Sequence, residues 1–566
     1  MPSREEALAV LTAPGAPFEI GHAIVGGEDL RVYATAPRNL REVWQSTEVH
    51  GEATFLVYQD ERTSYTEAHA AVRKLAAHLG GSGIGKGDRV AVAMRNYPEW
   101  VLAFWALQSL GAVVVSMNAW WTGPENQYGL SDSGATVLIA DGERYDRVRG
   151  DILRQTDVEA VIVVRPNGDC ALDAGHVTWT DVMSADDPGS LPDVDIGPDD
   201  DSTILYTSGT TGFPKGAVGS HRNHITNIMN TLVVGAAGLM MAGPASEGTP
   251  PPSRPIALWT FPFFHIAGIT GICVITATGG CIISQYRFDA AEALAIVERE
   301  HATTIAGVPT VVRSMLLHPD AATRDLSSLT GISQGGSPVP PDSIAKIEDE
   351  FTGKVMPANG YGLTETTSAV IANSGIAYFS KKDSVGLPAP VAEVRFVDPE
   401  GHDVPQGEIG ELWVRGPNNV RGYWNKPKET AEAFTNGWFH TGDAGYIDAD
   451  GWVYVVDRIK DMVLRGGENV YCAEVEAALF EHPAIADVAV FGLPDERLGE
   501  EVAVAVNLKD GVSLAAADLQ QFLAGKLAAF KVPSAVFVRA DPLPRNATGK
   551  VLKKDLRAEY STPSTG

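Results

Sequence analysis

Short apolar runs alternate with helix-length amphipathic segments along most of this chain, and that alternation constrains the fold more than any other feature. Segment 89–94 (RVAVAM) reads as a buried strand, and 98–110 follows as a helix with Pro98 in its first turn. Strands are expected again at 112–116, 136–140, 160–164 and 256–261, then a helix at 290–300 and a strand at 303–307. Strands separated by helix-length segments make βαβ units, so the class is α/β with parallel sheets. No fixed-period repeat occurs. Segment 235–254, rich in Gly, Ala, Pro and Ser, is expected to be a flexible surface loop. Past Asp457 the texture changes. A helix at 473–480, strands at 488–491 and 502–508, a helix at 514–527 and a strand at 534–538 read as a compact α+β unit. The expected division is a large N-terminal domain, 1–459, and a small C-terminal domain, 460–566.

A net charge of −27 over 566 residues repels phosphate backbones, so nucleic acid and anionic membrane are poor partners. Four scattered cysteines (Cys170, Cys273, Cys281, Cys472) with no CxxC pair argue against a disulfide scaffold or a zinc ribbon and fit a reducing cytosol. The start, MPSREE, is acidic where a secretion signal would be basic, which makes the expected location cytoplasmic. Segment 255–286 holds no charged residue, long enough to suggest a membrane span. Its prolines and glycines, with β-rich pieces at 256–261 and 281–284, read better as a buried strand–helix–strand. His221 and His224 share a helix face at i, i+3, but no third ligand is visible, and surface histidines are expected.

The strongest chemical signal is 206–216, YTSGTTGFPKG. Its glycines permit positive φ and close backbone approach, while the hydroxyls and Lys215 add donors for an anion. An ordinary polar turn needs far fewer such residues. Segment 80–87 (GGSGIGKG) has the glycine spacing of a Walker loop, but it ends in Gly87 and precedes a strand instead of following one.

YTSGTTGFPKG resembles the phosphate loop of the adenylate-forming superfamily: acyl-CoA synthetases, luciferases and nonribosomal adenylation domains. Five further segments match in that family's order. The resemblance implies that Thr207, Ser208, Gly209, Thr210, Thr211, Gly212 and Lys215 cradle the phosphates of ATP. In 359–365 (NGYGLTE) it places Asn359, Gly360 and Tyr361 at the nucleotide, Gly360 and Tyr361 packing on adenine. Thr364 would contact the α-phosphate and Glu365 would hold Mg2+, a hard cation that wants carboxylate oxygen. In 439–443 (FHTGD), Asp443 would accept both ribose hydroxyls. Each of these, taken alone, reads as a polar turn. DADG at 448–451 lacks the spaced carboxylates of a calcium loop and reads as a hairpin turn.

In 457–468 (DRIKDMVLRGGE) the resemblance gives Arg458 a ribose contact, makes Lys460 the hinge to a mobile C-terminal domain, and lines a pantetheine tunnel with Gly466 and Gly467. Relatives usually carry proline after the Gly-Glu-Asn-Val-Tyr run; this chain has Cys472, expected to be structural. In 544–550 (PRNATGK), Lys550 matches the family's catalytic lysine, neutralising charge that develops on the carboxylate and α-phosphate. In 261–268 (FPFFHIAG), His265 would stand at the acyl-pocket entrance. Ala267, Gly268, Gly335, Gly336 and Ser337 would face the same pocket, their missing volume leaving room for an aliphatic tail.

What this implies is a ligase that uses ATP, Mg2+ and coenzyme A. A carboxylic acid, medium- or long-chain fatty acid first and aromatic acid second, becomes an acyl-adenylate and then a thioester. Transfer to a carrier-protein phosphopantetheine is the alternative, and a nucleotide sensor without turnover the reading from another class. Polyanionic substrates on so acidic a chain call for local cations: Lys215, Arg458, Lys460, Arg465, Lys531 and Lys550. Oligomeric state stays open.

Overall fold

The computed structural model describes residues 2–561 except 169–171, 208–212, 244–253, 338, 340, 352–353, 510 and 547–548. Two large sheets carry the first 390 residues. The seven-stranded sheet has at its centre strands Val113–Ser116, Arg89–Ala93, Val137–Asp141 and Ala160–Val164, all parallel. Strand Asp201–Thr207 joins it in parallel, and strand Lys215–Ser220 closes that edge as its antiparallel partner. The nine-stranded sheet is parallel through Ile256–Trp259, Cys281–Ser284, Thr304–Gly307, Gly331–Gly335 and Met356–Leu363. Helix Pro98–Leu110 is buried along all but one of its residues and is apolar on nearly every side, as an enclosed helix must be, with buried Gln108 satisfied by Ser202.

The charge-free stretch is a strand–helix–strand as expected, with strands Ile256–Trp259 and Cys281–Ser284 parallel around helix Ile266–Ala277. The expected loop at 235–254 is corrected in its first part. Helix His221–Ala242 runs through Gly235 and Gly238, because Val233 and Ala237 are buried while the two glycines face open space. Residues 244–253 lie outside the described residues. The surface reading of His221 and His224 is also corrected, since both are fully buried. Ser220 caps their helix through a reciprocal bond with Asn223, which seats its first turn in the core. Among the described residues this is the only helix long and apolar enough to cross a membrane by length and composition. It buries His221, Asn223, His224, Thr226, Asn227 and Asn230, the pattern of a core helix.

A five-stranded antiparallel sheet follows, and strand Val453–Arg458 pairs there with strand Trp438–Ile447. The hairpin turn at Asp448 is present, its carboxylate accepting the backbone N–H groups of Asp450 and Trp452. Strand Val463–Arg465 belongs to the last sheet, with Glu468–Val470, Gly499–Leu508, Ile485–Asp495 and Ala535–Arg539. Lys460 therefore lies in the turn between strands of two different sheets. Cys273, Cys281 and Cys472 are buried free thiols; Cys170 lies outside the described residues.

Candidate active site

Thr207 and Lys215 face each other as the last register pair of their hairpin. Of the expected phosphate loop, Ser208, Gly209, Thr210, Thr211 and Gly212 lie outside the described residues, so Thr207 and Lys215 mark where its ends stand. A segment from the antiparallel sheet laces this hairpin to the Glu365 turn. Trp424 donates its N–H to Gly216 (2.7 Å), Val218 to Gly422 (2.9 Å) and Val420 to the carbonyl of Glu365 (2.9 Å). These bonds bring Tyr423 between the two motifs. Its hydroxyl donates to Glu365 Oε1 at 2.8 Å, and Lys215 Nζ stands 5.0 Å from its ring centroid. Sequence reasoning missed Tyr423, whose neighbourhood (RGYWNKP) reads as a plain loop.

Thr364 and Glu365 form a single 3₁₀ turn after strand Met356–Leu363, and Glu365 is buried. Gly362 is required there, because a Cβ would stand 1.8 Å from the Ser368 carbonyl oxygen. In the same strand Asn359 pairs with Gln334 and Gly360 with Gly335 of strand Gly331–Gly335.

Tyr361 reaches Asp443: its hydroxyl donates to Oδ2 at 2.5 Å, while Arg458 Nε donates to Oδ1 at 2.7 Å. Asp443 and Arg458 are register partners on adjacent strands, which puts their side chains on one face. Burial holds the Asp443 carboxyl above its ordinary range although Arg458 and the Tyr361 hydroxyl oppose it. Each oxygen has one protein partner and keeps capacity for a second, so a diol could still be accepted.

Lys550 lies on the turn after Asn546, whose side chain accepts its N–H at 3.0 Å. The residue is exposed overall, yet desolvation and then the Arg458 guanidinium lower the pKa of its ammonium, while Asp443 and Asp461 raise it. The neighbouring Gly549 has φ +80°, and a Cβ there would sit 3.3 Å from Val308. Val308 also lies 3.8 Å from the Cβ position of Gly336. It precedes helix Pro309–Leu316 and stands between the Lys550 turn and the expected acyl pocket, a second residue the sequence did not reveal. Gly466 and Gly467, both at positive φ, turn the hairpin between Val463–Arg465 and Glu468–Val470. Gly467 has nothing within 4 Å of its Cβ position.

His265 caps helix Ile266–Ala277, its Nδ1 accepting the Ala267 N–H at 3.3 Å, and burial lowers its pKa to about 4, so the ring is neutral. Gly268 does not supply free pocket volume. Its Cβ position lies 2.0 Å from the Pro262 carbonyl oxygen, so its smallness serves close packing against that turn. Gly335 is less constrained, its Cβ position meeting the Gly360 carbonyl oxygen at a tight 3.2 Å, while Gly336 and Ser337 lie at the strand end. Of the expected cations, Lys531 is taken by Glu474 at 2.7 Å. Cys472 opens helix Cys472–Phe480, yet burial outweighs the helix end and pushes its thiol pKa up, as expected of a structural cysteine.

The residues present fit a magnesium ion bound with phosphates. Glu365 is a buried carboxylate with no ion pair among the described residues, where no three metal-ligating side chains cluster, so a cation there would share its shell with substrate oxygens and water.

Comparison with known proteins finds similarity over most of the chain. Residues 43–424 match the family described as AMP-binding enzyme, and residues 474–550 match the AMP-binding enzyme C-terminal domain. A feruloyl-CoA synthase of Amycolatopsis sp is 36% identical, the match covering 90% of this chain and 96% of that one. A long-chain-fatty-acid–CoA ligase of Bacillus subtilis (strain 168) is 32% identical over 90% of this chain and 92% of its own. The solved o-succinylbenzoate CoA synthetase (MenE) of Bacillus subtilis, in complex with its acyl-adenylate intermediate, superposes with a TM-score of 0.76 at 28% identity, covering 92% of this chain and 98% of that one.

Proposed function

We propose, from the premise that this chain belongs to the AMP-binding enzyme family and is an ATP-dependent acid–thiol ligase working through an adenylate, that its acid is a medium- or long-chain fatty acid and its acceptor free coenzyme A. The observation that carries the acyl class is the absence of a charged partner at His265 among the described residues. Burial alone lowers its pKa, the ring is neutral, and its chain neighbours Phe264 and Ala267 add no charge that would pair with a second carboxylate or an amine. An apolar tail loses least in such surroundings. A second reading, an aromatic acid, draws on Trp120. This half-exposed indole meets Phe264 edge-on at 5.4 Å, beside His265, and one relative is a feruloyl-CoA synthase.

In this reading Thr207 and Lys215 hold the β- and γ-phosphates, and Asp443 with Arg458 holds the ribose. Glu365, with Thr364 beside it, would keep Mg2+ at the phosphates, where the ion would offset negative charge. The substrate carboxylate attacks the α-phosphorus; its new O–P bond forms as the bond to pyrophosphate breaks. Lys550 donates to the oxygens that gain charge, so positioning and electrostatics carry the step without a nucleophilic side chain. The C-terminal domain then turns about Lys460, withdrawing Lys550 and bringing Gly466 and Gly467 to the acyl-adenylate. There the thiolate of coenzyme A displaces AMP.

The test is incubation with ATP, Mg2+, coenzyme A and a pooled panel of acids from acetate to long fatty acids, with benzoate- and cinnamate-type acids included. Mass spectrometry should find aliphatic thioesters dominant. Dominance of cinnamate-type thioesters would replace the acyl assignment, and acyl-adenylate without thioester would move the acceptor to a carrier protein. Lys550→Ala should lose adenylation while keeping thioester formation from supplied acyl-adenylate; equal loss of both would remove that role.

A further inference from the structure

Asp457 is the next-to-last residue of strand Val453–Arg458, just before the Lys460 turn, and pairs there with Ala444 of the antiparallel sheet. Its side chain leaves that sheet. Oδ1 accepts the Arg458 N–H at 2.8 Å, and Oδ2 accepts the backbone N–H of Cys472, the first residue of helix Cys472–Phe480. Tyr471, at the helix N-cap, provides no side-chain bond of its own. The orphan donor at this helix end is therefore satisfied from across the hinge. Both residues are buried, and the Cys472 thiol also donates to the Asp461 carbonyl at 3.0 Å. The contact continues toward the catalytic turn. Glu476, on the same helix, holds Lys553 at 2.8 Å, and Lys553 stands three residues after Lys550.

We infer that Asp457 is a positioning residue: its carboxylate latches the C-terminal domain, through the Cys472 backbone N–H, in the pose that presents Lys550 to Asp443 and Arg458. The inference rests on the two-step ligase reading above. Asp457 precedes Lys460 and Cys472 follows it, so rotation about Lys460 separates them and the latch exists in one pose only. It depends on the departure noted at Cys472. Proline, usual at that point in the resembling family, has no N–H to donate. The latch is a property of this chain's backbone donor, and the thiol is dispensable to it.

That distinction supplies the experiment. Cys472→Pro removes the donor while suiting the first position of a helix. Cys472→Ala keeps the donor and removes only the thiol. Asp457→Asn keeps the shape and removes the charge. Each purified variant is checked for an unchanged circular dichroism spectrum. Adenylation is read by pyrophosphate exchange, thioester formation from supplied acyl-adenylate and coenzyme A, and domain pose by small-angle X-ray scattering with ATP bound. Cys472→Pro and Asp457→Asn should slow adenylation about tenfold, the scale of one charge-assisted hydrogen bond. Both should preserve or raise the thioester rate and broaden the distribution of poses. Cys472→Ala should match the parent in all three. Parallel loss of both half-reactions, or the same change in Cys472→Ala as in Cys472→Pro, would overturn the latch. A parent enzyme without pyrophosphate exchange would overturn the ligase reading instead, and the scattering comparison would then decide the latch alone.

Discussion

The Tyr423 hydroxyl donates to Glu365 Oε1 at 2.8 Å while the ring of the same tyrosine lies under Lys215 Nζ at 5.0 Å. One side chain thus couples the carboxylate proposed for Mg2+ to the cation proposed for the phosphates. Its two contacts can be separated. Tyr423→Phe removes the hydrogen bond and keeps the ring; Tyr423→Leu removes both. Tyr423→Phe is expected to raise the Mg2+ concentration needed for half-maximal ATP binding about tenfold, on the scale of about 1.5 kcal/mol for a bond to a charged group. Calorimetric ATP binding without Mg2+ should stay unchanged in that variant. Tyr423→Leu should weaken both. Identical Mg2+ titrations for the parent and Tyr423→Phe would show that the hydroxyl does not position Glu365.

Asp443 is buried, and both its oxygens carry protein partners, Arg458 and Tyr361. Removing Arg458 leaves a desolvated carboxylate whose protonation is already favoured by burial. Arg458→Met is therefore expected to cost about 1–3 kcal/mol of stability, tempered by the partial exposure of its guanidinium, and to raise the KM for ATP at least tenfold. Tyr361→Phe should do less alone. Because the two groups share one carboxylate, the double variant should depart from additivity by more than about 0.5 kcal/mol. Additive unfolding free energies in urea would argue that they act separately.

Gly268 separates packing from pocket volume. A Cβ at this position meets the Pro262 carbonyl oxygen at 2.0 Å and Phe263 Cα at 2.6 Å, both backbone atoms that cannot swing aside. Gly268→Ala should lower the unfolding temperature by several degrees, an overpacking cost of about 1–3 kcal/mol, with the acyl-chain preference unmoved. A clean shift toward shorter acids at parental stability would return Gly268 to the pocket wall.

These cases show why some of the site was legible in sequence and some was not. Lys215 sits in a dense local motif where glycine and hydroxyl spacing already implies an anion cradle, Glu365 was legible only through the family resemblance, and the parallel sheets follow from apolar runs at strand length. Tyr423 and Val308 act through tertiary neighbours, the Ala217–Tyr423 bridge and the approach of Gly549, for which no local spacing is a sign. Helix His221–Ala242 was hidden by Gly235 and Gly238. Local propensity reads those glycines as loop, while burial of Val233 and Ala237 overrides it. The same burial turned two expected surface histidines into core residues, since their polarity shows only when partners such as Thr203 are in place.

Those histidines set the acid stability of the fold. Burial lowers His224 to about 3 and His221, His69 and His265 to about 4. An unfolded imidazole titrates near its ordinary value of about 6.5. Between pH 6.5 and 4 the unfolded chain thus binds protons that the native chain refuses, and stability falls as pH falls, by about 1.4 kcal/mol per unit for each histidine. Asp457 works the other way. Desolvation, with the Glu476 carboxylate adding to it, lifts its carboxyl to about 6 against Lys553 and the N–H donors of Arg458 and Cys472, so between pH 6 and 4 the native chain binds the proton first and stability gains. Four histidines against one carboxylate leave a net loss of up to about 4 kcal/mol per unit. Urea unfolding at pH 7, 6 and 5 should show midpoints dropping in that order, most steeply below pH 6. His224→Gln, which can keep a bond to Thr203, should flatten the slope by about one histidine's share. A midpoint constant from pH 7 to 5 would mean that these rings are not held neutral in the core.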